Sequence, residues 1–253
     1  MPLALKVFLL AVVQGLTEFF PVSSSGHLLV FQKLLDFTTL PLVYDIFFHL
    51  GTLLAVVVYF SRDLRSLVLR FRERENARLL LMIALASLPT ALIGFFFRGF
   101  FESLFEQTSH LGLAFLFSAA LLLGSRYLRR QREMPGLPAA LLIGIAQGLA
   151  IAPGVSRSGM TIAVALLLGL GFEYSFRLSF LLSIPAILGA ALLEAGKIPW
   201  QGGHWPHLLL AIAVSAVVGI LALGALRRIV IREKFHLFAL YLVPLGLLAL
   251  MFL

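Results

Sequence analysis

Residues 14–27 read QGLTEFFPVSSSGH, and residues 147–160 read QGLAIAPGVSRSGM. The two stretches align without a gap. Gln14, Gly15, Leu16, Val22, Ser23, Ser25 and Gly26 match Gln147, Gly148, Leu149, Val155, Ser156, Ser158 and Gly159. Each stretch interrupts an otherwise apolar run. Non-helical backbone in hydrocarbon leaves N–H and C=O groups unpaired at a cost of several kcal/mol each, so a break survives only where protein buries it or where it lines a wet cavity. Two matching breaks of this kind point to one site assembled from two copies of a unit.

The surrounding composition is that of a membrane protein. The chain has 253 residues, 60% hydrophobic and 13% charged, against about 25% charged in a soluble domain. Its mean hydropathy is +1.02. This predicts an all-α polytopic membrane protein. Lys6 is the only basic residue ahead of the first apolar run, which leads straight into a polar break, so no cleavable signal is expected. The absence of cysteine excludes disulfides, thiolate metal sites and cysteine nucleophiles. A formal charge of +8 could suggest nucleic acid. The basic residues lie in short loops between apolar spans, however, where membrane orientation accounts for them and no nucleic-acid partner is expected.

A crossing needs about 20 residues, and six segments qualify: roughly 40–60, 78–98, 109–126, 176–195, 206–226 and 235–253. Residues 3–35 and 137–171 instead each hold two half-runs around a break, which suits a re-entrant helical hairpin. The chain thus reads as one integral membrane domain, 1–253, with internal repeats at about 3–130 and 136–253. A hairpin that returns to its own side plus three crossings is an odd count, so the second repeat is inverted with respect to the first.

Loop charge fits this topology. With the N-terminus outside, the loops around 61–78, 126–132, 177 and 227–234 all fall on the cytoplasmic side. They carry Arg62, Arg65, Arg70, Arg72, Arg74, Arg78, Arg126, Arg129, Arg130, Arg132, Arg177, Arg227, Arg228, Arg232 and Lys234. The other side has Lys6, Lys33, Arg98 and Lys197. That asymmetry is the positive-inside pattern, and it places both termini outside.

Arg157 is the one basic residue inside a break, and Glu18 is the carboxylate of the other. Charges at membrane depth mark sites or pathways by default. The plainer alternative is a Glu–Arg pair that only locks the hairpins together, but the small polar residues crowding both breaks exceed what one ion pair needs. Gln14 and Glu18, four apart on one helix face, offer oxygens to a hard cation such as Mg²⁺ or Ca²⁺. Ser23, Ser24 and Ser25 precede a new half-helix, so one of them is expected to cap it. Such an N-terminus also attracts anions. Two inverted N-termini with the Arg157 fork make phosphate the natural ligand. The candidate phosphate contacts are Ser23, Ser25, Gly26, Gly154, Ser156, Ser158 and Thr161. His27 reads either as a structural histidine or as a proton-transfer group or nucleophile. Asp45 and His49, another pair four apart, are secondary candidates.

Taken together, QGLTEFFPVSSSGH with PGVSRSGMT (153–161) resembles the BacA/UppP family of undecaprenyl-pyrophosphate phosphatases, whose signatures are an E/Q-x-x-x-E stretch and a PGxSRSxxT stretch. The resemblance extends over the chain, including FFHLGTLLAVVVYF (47–60). It implies cation-assisted hydrolysis of undecaprenyl diphosphate to the monophosphate and inorganic phosphate in the bacterial cytoplasmic (inner) membrane, at a site open to the outer face. That reaction recycles the lipid carrier for peptidoglycan and other cell-wall polymers. Excess enzyme then gives resistance to bacitracin, which acts indirectly by sequestering the substrate. The family's acidic positions map onto Gln14 and Glu18, its serine–histidine stretch onto Ser23, Ser24, Ser25 and His27, and its arginine onto Arg157. Gln14 departs from the glutamate of many members and leaves a cation one carboxylate fewer.

In this reading Arg157, the N–H groups of the breaks and a cation bound by Glu18 hold the diphosphate, Ser24, which the repeat pairs with Arg157, is the expected nucleophile, and His27 is the base that later activates water. The alternative has His27 attack directly. A second lipid phosphatase family is echoed by SSGH and SRSG, but the position of its second histidine holds Ala163, which rejects it. Inverted broken helices with a midplane Glu and Arg also describe an anion transporter or polyprenyl-phosphate flippase. The sequence leaves monomer and homodimer open.

Overall fold

A computed structural model describes residues 1–106, 108–125, 136–196 and 205–252. Arg126, Arg129, Arg130 and Arg132 of one expected cytoplasmic loop, Lys197 of an outer one, and the boundary between the repeats lie outside the described residues. The described residues form twelve α-helices: α1 Leu3–Thr17, α2 Ser24–Leu34, α3 Pro41–Tyr59, α4 Ser61–Leu69, α5 Arg74–Phe96, α6 Arg98–Phe105, α7 Leu111–Gly124, α8 Leu137–Leu149, α9 Arg157–Leu167, α10 Phe172–Ala195, α11 Trp205–Ile231 and α12 Ala239–Phe252. A short 3-10 turn, Phe235–Phe238, leads into α12.

Five of the six expected spans are long and apolar enough to cross a membrane: α3, α5, α10, α11 and the Phe235–Phe252 segment. The sixth, expected at 109–126, is the 14-residue α7, which is shorter than a typical crossing and ends beside residues outside the description. The half-runs form short helices on either side of each break, α1 and α2 around the first, α8 and α9 around the second. Large apolar side chains such as Phe96, Leu192 and Leu240 are exposed on the outer surface of the bundle, as lipid-facing residues are.

Matching elements of the two halves make matching contacts, and they make them crosswise. α1 packs on α11, while its counterpart α8 packs on α5. Ser215 of α11 donates its hydroxyl hydrogen to the Ala11 carbonyl at 3.3 Å; Thr90 of α5 donates to the Gly144 carbonyl at 2.8 Å. Gly15 lies against Val218, and its repeat partner Gly148 against Ile93. Apolar side chains gain little by leaving lipid for each other, so close backbone approach at small residues and interhelical hydrogen bonds carry much of the cohesion.

The tightest approach is at Gly144, where a Cβ would come to 2.1 Å from the Ala86 carbonyl oxygen. A backbone atom cannot swing away as a side chain can. Gly144→Val is therefore expected to force α5 and α8 apart, costing about 1–3 kcal/mol or more. Thermal unfolding in detergent reports it, and an unchanged midpoint would show that the helices slide apart freely.

Charges gather at the bundle's ends. Arg177 at the start of α10 meets Asp63 of α4 at 2.6 Å and Glu75 of α5 at 3.4 Å, and Arg227 of α11 meets Glu173 at 2.8 Å. Three of the basic segments assigned to one side by sequence thus share one end. Arg98, assigned to the opposite side, pairs with Glu194 at the far end of α10.

Candidate active site

The first break begins where α1 ends. Glu18 caps that helix, its N–H donating to the Gln14 carbonyl at 2.9 Å, so the two side chains stay on one face. The chain turns through residues 19–22 and reaches Ser23, whose φ of 70° lies in the left-handed region. A non-glycine residue held there stores roughly 1–3 kcal/mol, and such residues cluster at functional sites. Ser23 caps α2, its hydroxyl oxygen accepting from the Gly26 N–H at 3.3 Å. The second break repeats the device: Ser156 caps α9, accepting from the Gly159 N–H at 3.1 Å. Here the positive φ falls on Gly154, at 86°.

The tips of the two breaks touch. Ser158 donates to the Phe20 carbonyl at 3.3 Å, and a Cβ on Gly26 would sit 3.1 Å from the Gly154 Cα. Ser118 of α7 braces the second tip, its hydroxyl oxygen accepting from the Ser156 N–H at 3.1 Å. This contact brings Arg157, the first residue of α9, onto Glu18 from the other half.

Glu18 is the hub. One carboxylate oxygen, Oε1, receives Nη2 of Arg157. The other, Oε2, accepts from the Ser24 hydroxyl at 2.5 Å and from the Gln14 amide nitrogen at 3.1 Å, with His49 Nε2 at 3.7 Å. The carboxylate is almost fully buried. Two further atoms are buried and, among the described residues, have no partner: Arg157 Nη1 and Gln14 Oε1. A strong donor and an acceptor left unpaired in one cluster are costly unless a ligand takes them.

The remaining expected residues divide. Asp45 accepts from Gln32 at 2.6 Å while its carbonyl takes the Nδ1–H of His49, so this pair reaches the cluster through His49. Ser25 lies 3.3 Å from Ser23, and Ser156 lies 3.4 Å from Ser158. Thr161 bonds the Arg157 carbonyl at 2.9 Å and the Ser179 hydroxyl at 2.6 Å, which turns it toward α10 and away from Glu18. His27 does not bond Ser24 among the described hydrogen bonds. Its Nδ1–H donates to the Ser23 carbonyl at 2.7 Å, and its Nε2 accepts from the Tyr241 hydroxyl at 2.8 Å. The group on the Ser24 hydroxyl is Glu18. Ser118 and Tyr241 carry no sequence signal: each is a lone polar residue in an apolar helix, far along the chain from its partner.

The model of the family described as bacitracin resistance protein BacA matches residues 7–248, which takes in both breaks. The chain belongs to the BacA family. Relatives bear this out over nearly their whole length. A protein named undecaprenyl-diphosphatase from Halothermothrix orenii is 38% identical over 93% of this chain and 93% of its own. Proteins of the same name from Rubrobacter xylanophilus and Korarchaeum cryptofilum are 42% identical over 94% of this chain and 93% of the relative, and 36% identical over 96% of each. The transporter alternative gains no support from BacA-family relatives that are named as phosphatases.

Proposed function

We propose that this chain hydrolyses undecaprenyl diphosphate to undecaprenyl phosphate and inorganic phosphate at the cluster of Glu18, Ser24 and Arg157. Family membership supports the reaction. The observation that carries the residue assignment is the Ser24 hydroxyl at 2.5 Å from one oxygen of a carboxylate whose other oxygen holds Arg157.

In this reading Ser24 Oγ attacks the terminal phosphorus as its proton passes to Glu18 Oε2. The bridging P–O bond breaks and undecaprenyl phosphate leaves. Water then attacks the phosphoserine, phosphate departs, and Ser24 regains its proton. His27, one turn along α2, is assigned to the water step. Phosphoryl transfer needs mainly positioning and neutralisation of the equatorial oxygens. The unpaired Nη1 of Arg157 offers the first such contact. The N-termini of α2 and α9, shaped by Ser23, Ser25 and Gly26 and by Gly154, Ser156 and Ser158, offer backbone N–H groups for others.

The donors beside Ser24 suit a hard divalent cation in kind: the Glu18 carboxylate, the Ser24 hydroxyl and the unpartnered Gln14 amide oxygen. Mg²⁺ or Ca²⁺ held by Glu18 and Gln14 would supply further charge for the diphosphate oxygens. With one carboxylate, water and substrate would provide most of its coordination.

The same reading places six crossings and two re-entrant hairpins in an inverted repeat, supported by the crosswise packing of α1 on α11 and α8 on α5. The arginine-rich end is cytoplasmic, the termini are outside, and the membrane is the bacterial inner one. The site opens outward past His49, which is partly exposed beside Glu18.

Purified protein in detergent should release phosphate from undecaprenyl diphosphate when Mg²⁺ or Ca²⁺ is present and much less after chelation. Ser24→Ala should lower the rate by about 100-fold or more, as loss of an attacking group does. Full activity in that variant would remove Ser24 as nucleophile and favour direct attack by His27.

A further inference from the structure

We propose that Tyr241 is a positioning residue for His27, reaching across from the last helix to fix the imidazole's tautomer and orientation. The inference rests on the functional reading above, in which His27 serves the water step.

The Ser23 carbonyl can only accept, so the 2.7 Å contact requires the proton on Nδ1. In the neutral ring Nε2 then carries the lone pair, and the Tyr241 hydroxyl at 2.8 Å is the donor to it. With both nitrogens engaged, the ring can neither flip nor exchange tautomers without losing a bond. The rings of His27 and Tyr241 lie nearly parallel, 17° apart, and Phe115 meets the imidazole in a T-shaped contact with centroids 5.6 Å apart. The histidine itself is 5% exposed. Ser23, one of its two polar anchors, is the strained residue of the first break.

Tyr241 lies at the start of α12, and nothing else in the chemistry described above uses it. Its side chain is about half exposed on the outer face of the bundle, with no hydrogen bond to Glu18, Ser24 or Arg157 among the described residues. On a face turned to lipid, within the Phe235–Phe252 span, the hydroxyl must find its partner in the protein, and it finds the imidazole. The bond satisfies both groups and fixes the ring. Tyr241 thereby ties α12, the end of the second half, to α2 in the first. It keeps the Nε2 lone pair unprotonated and in a fixed direction; the attacking water then takes the hydroxyl's place on Nε2 and leaves its proton there.

The test is Tyr241→Phe in the full chain, which keeps the ring packing and removes only the hydroxyl. The expected result is a kcat for phosphate release lowered about 10-fold, the lower end of the loss seen when the orienting partner of a metal-bound histidine is removed. KM should change less than twofold, because the variant leaves the Arg157–Glu18 cluster intact. In a His27→Ala background the same substitution should have no further effect on the residual rate. Independently of activity, ¹⁵N-histidine spectra should show His27 as the Nδ1-protonated tautomer, with its Nε2 resonance moving on Tyr241→Phe to that of a nitrogen without a hydrogen bond. An unchanged kcat and spectrum would overturn the proposal, as would an equal loss in the His27→Ala background. No phosphate release from folded wild-type protein would instead sink the functional reading itself.

Discussion

Glu18→Gln is expected to cut phosphate release by about 1,000-fold or more, the range that loss of a general base covers. Three hydrogen bonds converge on this carboxylate, from Ser24, Arg157 and Gln14. The amide that replaces it can still accept from one of them, but it cannot take a proton from Ser24. It also leaves the buried Arg157 charge without its counter-ion. Removing one partner of such a pair costs about 3–5 kcal/mol, so the unfolding temperature in detergent should fall alongside the rate. Measuring both separates the two effects. If activity is lost from protein that unfolds near the wild-type temperature, the loss is chemical. A variant that keeps more than a tenth of wild-type turnover would show that Ser24 passes its proton elsewhere.

The second large effect is expected at Arg157→Lys. Arginine presents a planar fork, and here one arm, Nη2, is on Glu18 while the other, Nη1, is buried and unpaired. That division lets one residue hold its carboxylate and reach for phosphate at once. An ammonium on a flexible stem keeps the charge but lacks the fork. Loss of one preorganised donor aimed at developing charge typically costs about 100- to 1,000-fold, and kcat/KM for phosphate release should fall in that range although the charge is conserved. Lysine activity within about tenfold of wild type would mean that charge alone suffices, and the fork would then have no part in substrate binding.

Much of this arrangement was legible in the duplicated stretch. The alignment sets Ser24 opposite Arg157 and predicts that both breaks end in serine-capped half-helices, and Ser23 and Ser156 are those caps. The Gln14–Glu18 spacing placed both side chains on one face, and they touch. Where several roles compete for one residue type, spacing alone does not rank them. Thr161, in the same motif as Arg157, turns to Ser179 because its hydroxyl can satisfy itself within α9 and against α10. His27 reads from sequence as a structural histidine, a base or a nucleophile, and its ring nitrogens are taken by Ser23 and Tyr241. Contacts between distant helices were invisible for a physical reason. In a chain where nearly every helix is apolar, hydropathy says which segments meet lipid and not which segments meet each other. Thr90 and Ser215, which clasp α8 and α1, are ordinary hydroxyls of apolar helices until the fold pairs them. Asp45 and His49 were readable as a pair but not as neighbours of Glu18.

The crosswise packing of the two halves also constrains how the protein is made. The helix that seats α1 begins at Trp205, near the far end of the chain. At translation rates of about 5–20 residues per second, the first hairpin waits roughly 10–40 s for that support. Throughout much of the wait Glu18 lacks Arg157, which enters the membrane only with α9. A nascent chain therefore carries an uncompensated carboxylate until α9 is made, and the packing that seats α1 is complete only after α11. Chains that stall before α11 are left with an N-terminal helix that lacks its main packing partner.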